Sequence, residues 1–205
     1  MTIQGRICSD QATHDNPTPD PASAAVLCPG PSLAAVTPET LAAYDALLGV
    51  NRAVERAPCH WWAMLDTHTF TFTRPVNRPV LVSSRGTYRS LRAQRPELAD
   101  WPWLDCRWID AAGGLHAVLW RKTSMTTAIV LAAELGARRI DVYGCDWEGE
   151  ADWDGRTDER YNRGEDRPGE GGRTVEGRWT MERKLFAELK AALADRGCEL
   201  ERKRP

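Results

Sequence analysis

Short apolar runs that stop at a polar or turn-forming residue constrain this chain more than any other feature. They occur at 24–28 (Ala-Ala-Val-Leu-Cys), 47–51 (Leu-Leu-Gly-Val-Asn), 61–66 (Trp-Trp-Ala-Met-Leu-Asp), 79–84 (Pro-Val-Leu-Val-Ser-Ser) and 139–144 (Arg-Ile-Asp-Val-Tyr-Gly). Arg107–Asp110 is a weaker candidate. A strand buried on one face alternates apolar with polar residues, whereas one buried on both is apolar throughout and belongs to a parallel sheet covered by helices. Helical patterns fall between these runs. Thr37 as N-cap, Pro38 in the first turn and Glu39 beside the positive end of the dipole predict a helix over about 38–47. Ser124–Leu135 carries Ala128, Leu131, Ala132 and Leu135 on one face and stops at Gly136. A last helix is expected over about 179–195, with Met181, Leu185, Leu189 and Leu193 in register, followed by a short terminal strand. The alternation predicts an α/β fold: a Rossmann-like three-layer sandwich with a mainly parallel sheet, in a single domain.

With 205 residues, there is room for one core. Residues 1–22 hold Pro17, Pro19 and Pro21 among polar residues and read as an extended or disordered leader, which leaves 23–205 for the domain. The stretch 145–178 is rich in Gly, Asp, Glu and Arg with hardly an apolar period, and reads as a long loop or lid. Basic and acidic residues nearly balance, 27 against 29, which removes the general electrostatic argument for a nucleic-acid partner. No apolar run approaches the roughly 20 residues of a membrane span, and Met1–Asp10 is too polar for a secretory signal. A cytoplasmic protein is expected, and a homo-oligomer is compatible with the pattern. None of the six cysteines stands in a C-x-x-C pair, so they read as reduced, buried thiols rather than a zinc or redox site.

Parallel sheets bind ligands at the carboxyl ends of their strands. The polar groups there are Gly30 and Ser32, Asn51, Asp66, Ser83 and Ser84, and Asp146. Gly30-Pro31-Ser32 would offer backbone N–H groups and a hydroxyl with no side chain on Gly30 to block a close phosphate; a capped tight turn is the competing reading. Thr123 and Ser124 open the strongest helix, where hydroxyls and free amides favour an anion, or merely cap the helix. The glycines of a Walker A loop are missing before Lys122.

The order of these segments resembles a known family. Gly30-Pro31-Ser32-Leu33, Gly49-Val50-Asn51-Arg52-Ala53, Leu65-Asp66, Thr123-Ser124, Leu135–Ile140 and Val142-Tyr143-Gly144-Cys145-Asp146-Trp147 follow one another as in the bacterial sialyltransferases of the Campylobacter type. The related 6-hydroxymethylpterin diphosphokinase-like and flagellin-glycosylation proteins share the pattern. The resemblance implies that Gly30, Pro31, Ser32 and Asn51 hold a nucleotide, that Thr123 and Ser124 touch the donor, and that Gly144 and Asp146 close the same site. The family has glycine where this chain has Met125. It also places a general-base histidine in the late loop, where this chain has none after His116. That loop offers Arg163, Arg167, Arg173 and Arg178 to steady a leaving phosphate, and Asp154 or Glu176 as a base. Asp66 and His68 would form an acid/base pair over the site.

Glu150, Asp152, Asp154 and Gly155 mimic the opening of a calcium loop, but Tyr161 stands where the bidentate acid is required. No dedicated metal site is therefore expected. His14 and His60 have simple structural readings, His116 reads as structural or as facing the same cleft from before the helix at 124, and Trp147 and Trp153 are the candidates for stacking on a base or sugar. The reading that results is a nucleotide-sugar-dependent, sialyltransferase-like glycosyltransferase using a CMP-sugar or related donor, requiring no cofactor, with an acceptor the sequence does not name. Its alternatives are diphosphate transfer from ATP to a small hydroxymethyl acceptor, with magnesium accompanying the nucleotide, and a non-catalytic nucleotide-binding or assembly protein.

Overall fold

The computed structural model describes residues 21–65, 73–106, 123–148, 152–156 and 175–204. Seven strands form one sheet: β1 (Ser23–Leu27), β2 (Ala46–Val50), β3 (Trp61–Ala63), β4 (Val80–Ser83), β5 (Trp103–Asp105), β6 (Arg139–Tyr143) and β7 (Glu199–Arg202). Their order is β5-β4-β3-β2-β1-β6-β7, and every neighbouring pair is parallel. The sheet is buried on both faces, as the unbroken apolar runs require. Ala24, Val26, Leu48, Trp61, Val82 and Val142 face one core; Ala25, Leu27, Trp62, Leu81 and Tyr143 face the other. The α/β, Rossmann-like sandwich expected from the sequence is the fold.

Four helices are labelled here α1 (Pro38–Leu41), α2 (Arg85–Gln94), α3 (Ser124–Glu134) and α4 (Val175–Ala194). Helices α3 and α4 cover the first core, while α2 and the 3₁₀ turns Pro31–Ala35 and Asn51–Glu55 cover the second. Thr37 caps α1 by accepting from the Thr40 N–H, and Pro38 opens it, as read. The helix expected over 38–47 nevertheless ends after one turn, because β2 begins at Ala46. Tyr44 instead turns inward, donating to Asp141 at 2.5 Å and sharing a hydrogen bond with Tyr143 at 2.8 Å.

Helix α3 differs from its one-faced expectation. Every residue from Ser124 to Ala132 is buried, because the helix lies between the sheet and α4. Helix α4 begins four residues before the expected 179, and the terminal strand is present as β7. Arg107–Asp110 and the leader residues 1–20 lie outside the described residues, and β5 forms just before the former. Among the described residues no helix is long and apolar enough to cross a membrane.

Candidate functional site: a cleft at the switch point of the sheet

From β1 the chain builds the sheet outward through β2, β3, β4 and β5, then returns to set β6 on the other side of β1. The strand order therefore reverses between β1 and β6. Loops leaving these two strands must diverge, and the gap between them is where open α/β sheets take ligands. A cleft with about 630 Å³ of space, counted to its open mouth, lies there. Gly30, Pro31, Asn51, Thr123, Ser124, Gly144 and Asp146 all line it. Residues far apart in sequence, each at a strand end or helix start, thus share one opening.

Two glycines make the floor possible. The Cys28 N–H donates to the Tyr143 carbonyl at 2.8 Å and the Gly30 N–H to the Gly144 carbonyl at 2.9 Å, so the strand ends touch backbone to backbone. A Cβ on Gly30 would stand 2.4 Å from the Gly144 oxygen and 2.6 Å from the Asp146 carboxylate. Gly144 has φ +66°, and its Cβ would meet the Cys28 oxygen at 2.1 Å. The Asp146 carboxylate accepts from the Ser32 N–H at 2.8 Å. These bonds correct one expectation: the amides of Gly30 and Ser32 are occupied by protein acceptors rather than open to a phosphate. The Ser32 hydroxyl is buried without a protein partner.

Asn51 and Trp147 are the two non-glycine residues with positive φ among those described, +50° and +53°, and both line the cleft. Asparagine tolerates this conformation; tryptophan adopts it only under strain, and such residues concentrate at functional sites. The Asn51 carbonyl holds the Trp62 indole N–H at 2.9 Å, while its side-chain oxygen is buried and unpartnered. The Trp147 ring packs edge-on against Phe186 and beneath the Arg202 guanidinium, with its own indole N–H unpartnered. Protein groups therefore already occupy part of the surface expected to stack on a ligand. Trp153 packs against the second core.

Thr123 caps α3, its hydroxyl accepting from the Thr126 N–H at 3.1 Å. Ser124 accepts from the Leu65 N–H at 3.1 Å and so ties the end of β3 to the helix start. A serine hydroxyl that accepts one bond still has its proton to donate. Asp66 and His68, which would continue from Leu65, lie outside the described residues, as does the Arg178 side chain.

Asp146, Glu148, Asp152 and Glu182 give the lining an acidic character, and no lysine or arginine lines the cleft among the described residues. Glu182 was not anticipated. It sits on the same face of α4 as Phe186, Leu189 and Leu193, all buried, so an acid inside an apolar helical register was the signal available. The sulfurs of Cys145 and Met125 touch at 3.1 Å on the floor. The neighbouring Cys145, burial, Glu182 and Asp146 all push the Cys28 thiol well above its ordinary range, which favours the neutral thiol over the thiolate. Asp154, expected as a base, does not line the cleft. It is bound to two guanidinium groups, Arg52 at 2.8 Å and Arg156.

No protein-family model matches the chain, and no curated protein or solved structure shows significant similarity to it.

Proposed function

We propose that this protein is a nucleotide-dependent transferase whose donor occupies the cleft between β1 and β6. The supporting observation is the convergence of Gly30, Asn51, Thr123, Ser124, Gly144 and Asp146 on one opening at the switch point, with the Asn51 side-chain oxygen left buried and unpartnered. An acceptor in that state is costly unless a ligand donor meets it. An amino group on a nucleobase would do so, and the Ser124 hydroxyl can donate to an anionic group. The sialyltransferase-like resemblance points to the same residues.

The two donor chemistries make different demands. A metal-free CMP-sugar needs protein cations or amides around its phosphate. The described lining is instead acidic, and the turn amides are already bonded. This favours a donor that brings its own divalent cation, the diphosphate-transfer reading. Among the described residues, no three or more His, Cys, Asp or Glu side chains form a metal cage. A magnesium ion carried by a nucleotide needs only one or two carboxylates, which Asp146 and Glu148 at the cleft can supply. Bound there, it would neutralise phosphate charge against the acidic wall.

The test is a thermal-shift screen against CMP, CDP, UDP, GDP, ADP and ATP, each with and without magnesium. A ligand at 100 times its dissociation constant adds about 2.7 kcal/mol to the folded state, enough to raise the melting temperature by several degrees. A magnesium-dependent shift with ATP is the expected result. A metal-independent shift with CMP would move the donor to a CMP-sugar. No shift with any nucleotide would overturn the proposal and leave the non-catalytic assembly role.

A further inference from the structure

We infer that Arg52 is a positioning residue of the cleft, clamping the segment 152–156 so that Asp152 is held in the lining. Arg52 is only 4% exposed. Its guanidinium reaches three carboxylates: Asp152 at 2.6 Å, Asp154 at 2.8 Å and Glu55 at 3.0 Å. Two of the three belong to the segment 152–156, one hundred positions away in sequence. Arg156 closes the network from the other side by pairing with Glu55 at 3.0 Å and with Asp154. The Trp153 N–H donates to the Pro29 carbonyl at 2.8 Å, which seats the segment on the Gly-Pro-Ser turn, and Asp152 lines the cleft.

Besides these ion pairs, Trp153 packs on the second core and the Asp152 N–H donates to the Arg156 carbonyl at 2.8 Å. Asp-Trp-Asp-Gly-Arg offers one large apolar side chain. Arg52, Asp152, Asp154 and Glu55 form an ion cluster with side chains mostly shielded from solvent, and a cluster of this kind is a poor source of folding stability. Its best-attested use is to fix one arrangement of chain over others. Here the arrangement fixed is the seat of Asp152 in the cleft lining. The neighbour of Arg52 in sequence is Asn51, which has positive φ and lines the cleft. One short turn therefore lines the cleft with one residue and holds the segment with the next. A lysine replaces this only in part, since its point-charge ammonium lacks the planar fork that pairs with carboxylates in fixed geometry.

The role in ligand binding rests on the nucleotide reading above, whereas the clamp itself does not, and the test separates them. Amide hydrogen exchange is followed by mass spectrometry on the unliganded wild type, Arg52→Lys, Arg52→Gln and Asp154→Asn. Exchange at the Trp153 and Gly155 amides is expected to rise about tenfold or more in Arg52→Gln and by less in Arg52→Lys, with α3 exchanging as in the wild type. Asp154→Asn, which leaves Arg52 in place, is expected to loosen the same amides. Unchanged exchange over 152–156, or acceleration spread equally over α3, would overturn the clamp. With Mg·ATP as probe, a dissociation constant raised in Arg52→Lys supports positioning; a loosened segment with unchanged affinity overturns that role. If wild type binds no nucleotide, the nucleotide reading fails and the exchange data alone decide the clamp.

Discussion

Asp146 joins the fold to the proposed chemistry. Its carboxylate accepts from the Ser32 N–H, which holds the Gly-Pro-Ser turn against the end of β6. Asp146→Ala strands that partly buried donor, and is expected to cost about 1–3 kcal/mol in denaturant unfolding. Asp146→Asn keeps an acceptor, so most of the stability should survive while magnesium-dependent nucleotide affinity falls. Equal loss of stability in both variants would mean that charge, not hydrogen bonding, holds the turn. His60 gives a second prediction. Its Nδ1 accepts from the Leu47 N–H at 2.9 Å, and burial lowers its pKa below the ordinary 6.5. The unfolded chain then takes up the proton first, so this contribution is complete above about pH 6.5 and is lost as the pH falls toward the lower folded value. In His60→Asn, which retains an acceptor without titrating, the decline of melting temperature below pH 6.5 should be shallower. The strand-end residues Gly30, Asn51 and Asp146 were legible because their place follows from the rule for parallel sheets. The Arg52 network was not, since nothing local in Asn51-Arg52-Ala53 marks partners a hundred positions away.

Helix α3 shows what a pattern does and does not reveal. Its limits were readable from Thr123, Ser124 and Gly136, because caps and stops act through neighbouring backbone. Its depth was not, because Thr126, on the face away from the apolar stripe, reads as solvent-facing, whereas tertiary packing buries it too. Thr123 supplies the cap through the Thr126 N–H, so Thr123→Ala is expected to cost about 1 kcal/mol in unfolding experiments. Since the helix packs against β1, β2, β3 and β6, the loss should appear in the global transition rather than as local fraying. Helix α2 went unread for the opposite reason. It carries three arginines and buries only Thr87, Tyr88 and Leu91, so its apolar face, though sharply set off from the polar one, is too narrow to stand out as an apolar run. The one-turn α1 was overextended because Thr37-Pro38-Glu39 signals a start and contains no stop. The stop is tertiary: Asp45 accepts from the Ser23 N–H as β2 begins beside β1.

At the scale of the molecule, one topological fact organises the rest. A parallel sheet that reverses its strand order beside β1 must open a crevice at its carboxyl edge, and the glycines, the positive-φ residues Asn51 and Trp147, and the start of α3 gather at that edge. The sequence carried the sheet type and the strand-end residues. It did not carry the strand order, which depends on crossovers over distant elements, nor the acidity of the lining, which needs Glu182 and Asp152 brought in from the last helix and the late loop. The most direct measurement is a calorimetric titration of Mg·ATP and of CMP into the wild type, Asn51→Ala and the exposed control Lys190→Ala. One saturable site is expected in the wild type, weakened about tenfold or more in Asn51→Ala and unchanged in Lys190→Ala. No saturable binding of either nucleotide, or an Asn51→Ala variant that binds like the wild type, would contradict a nucleotide site at the switch point.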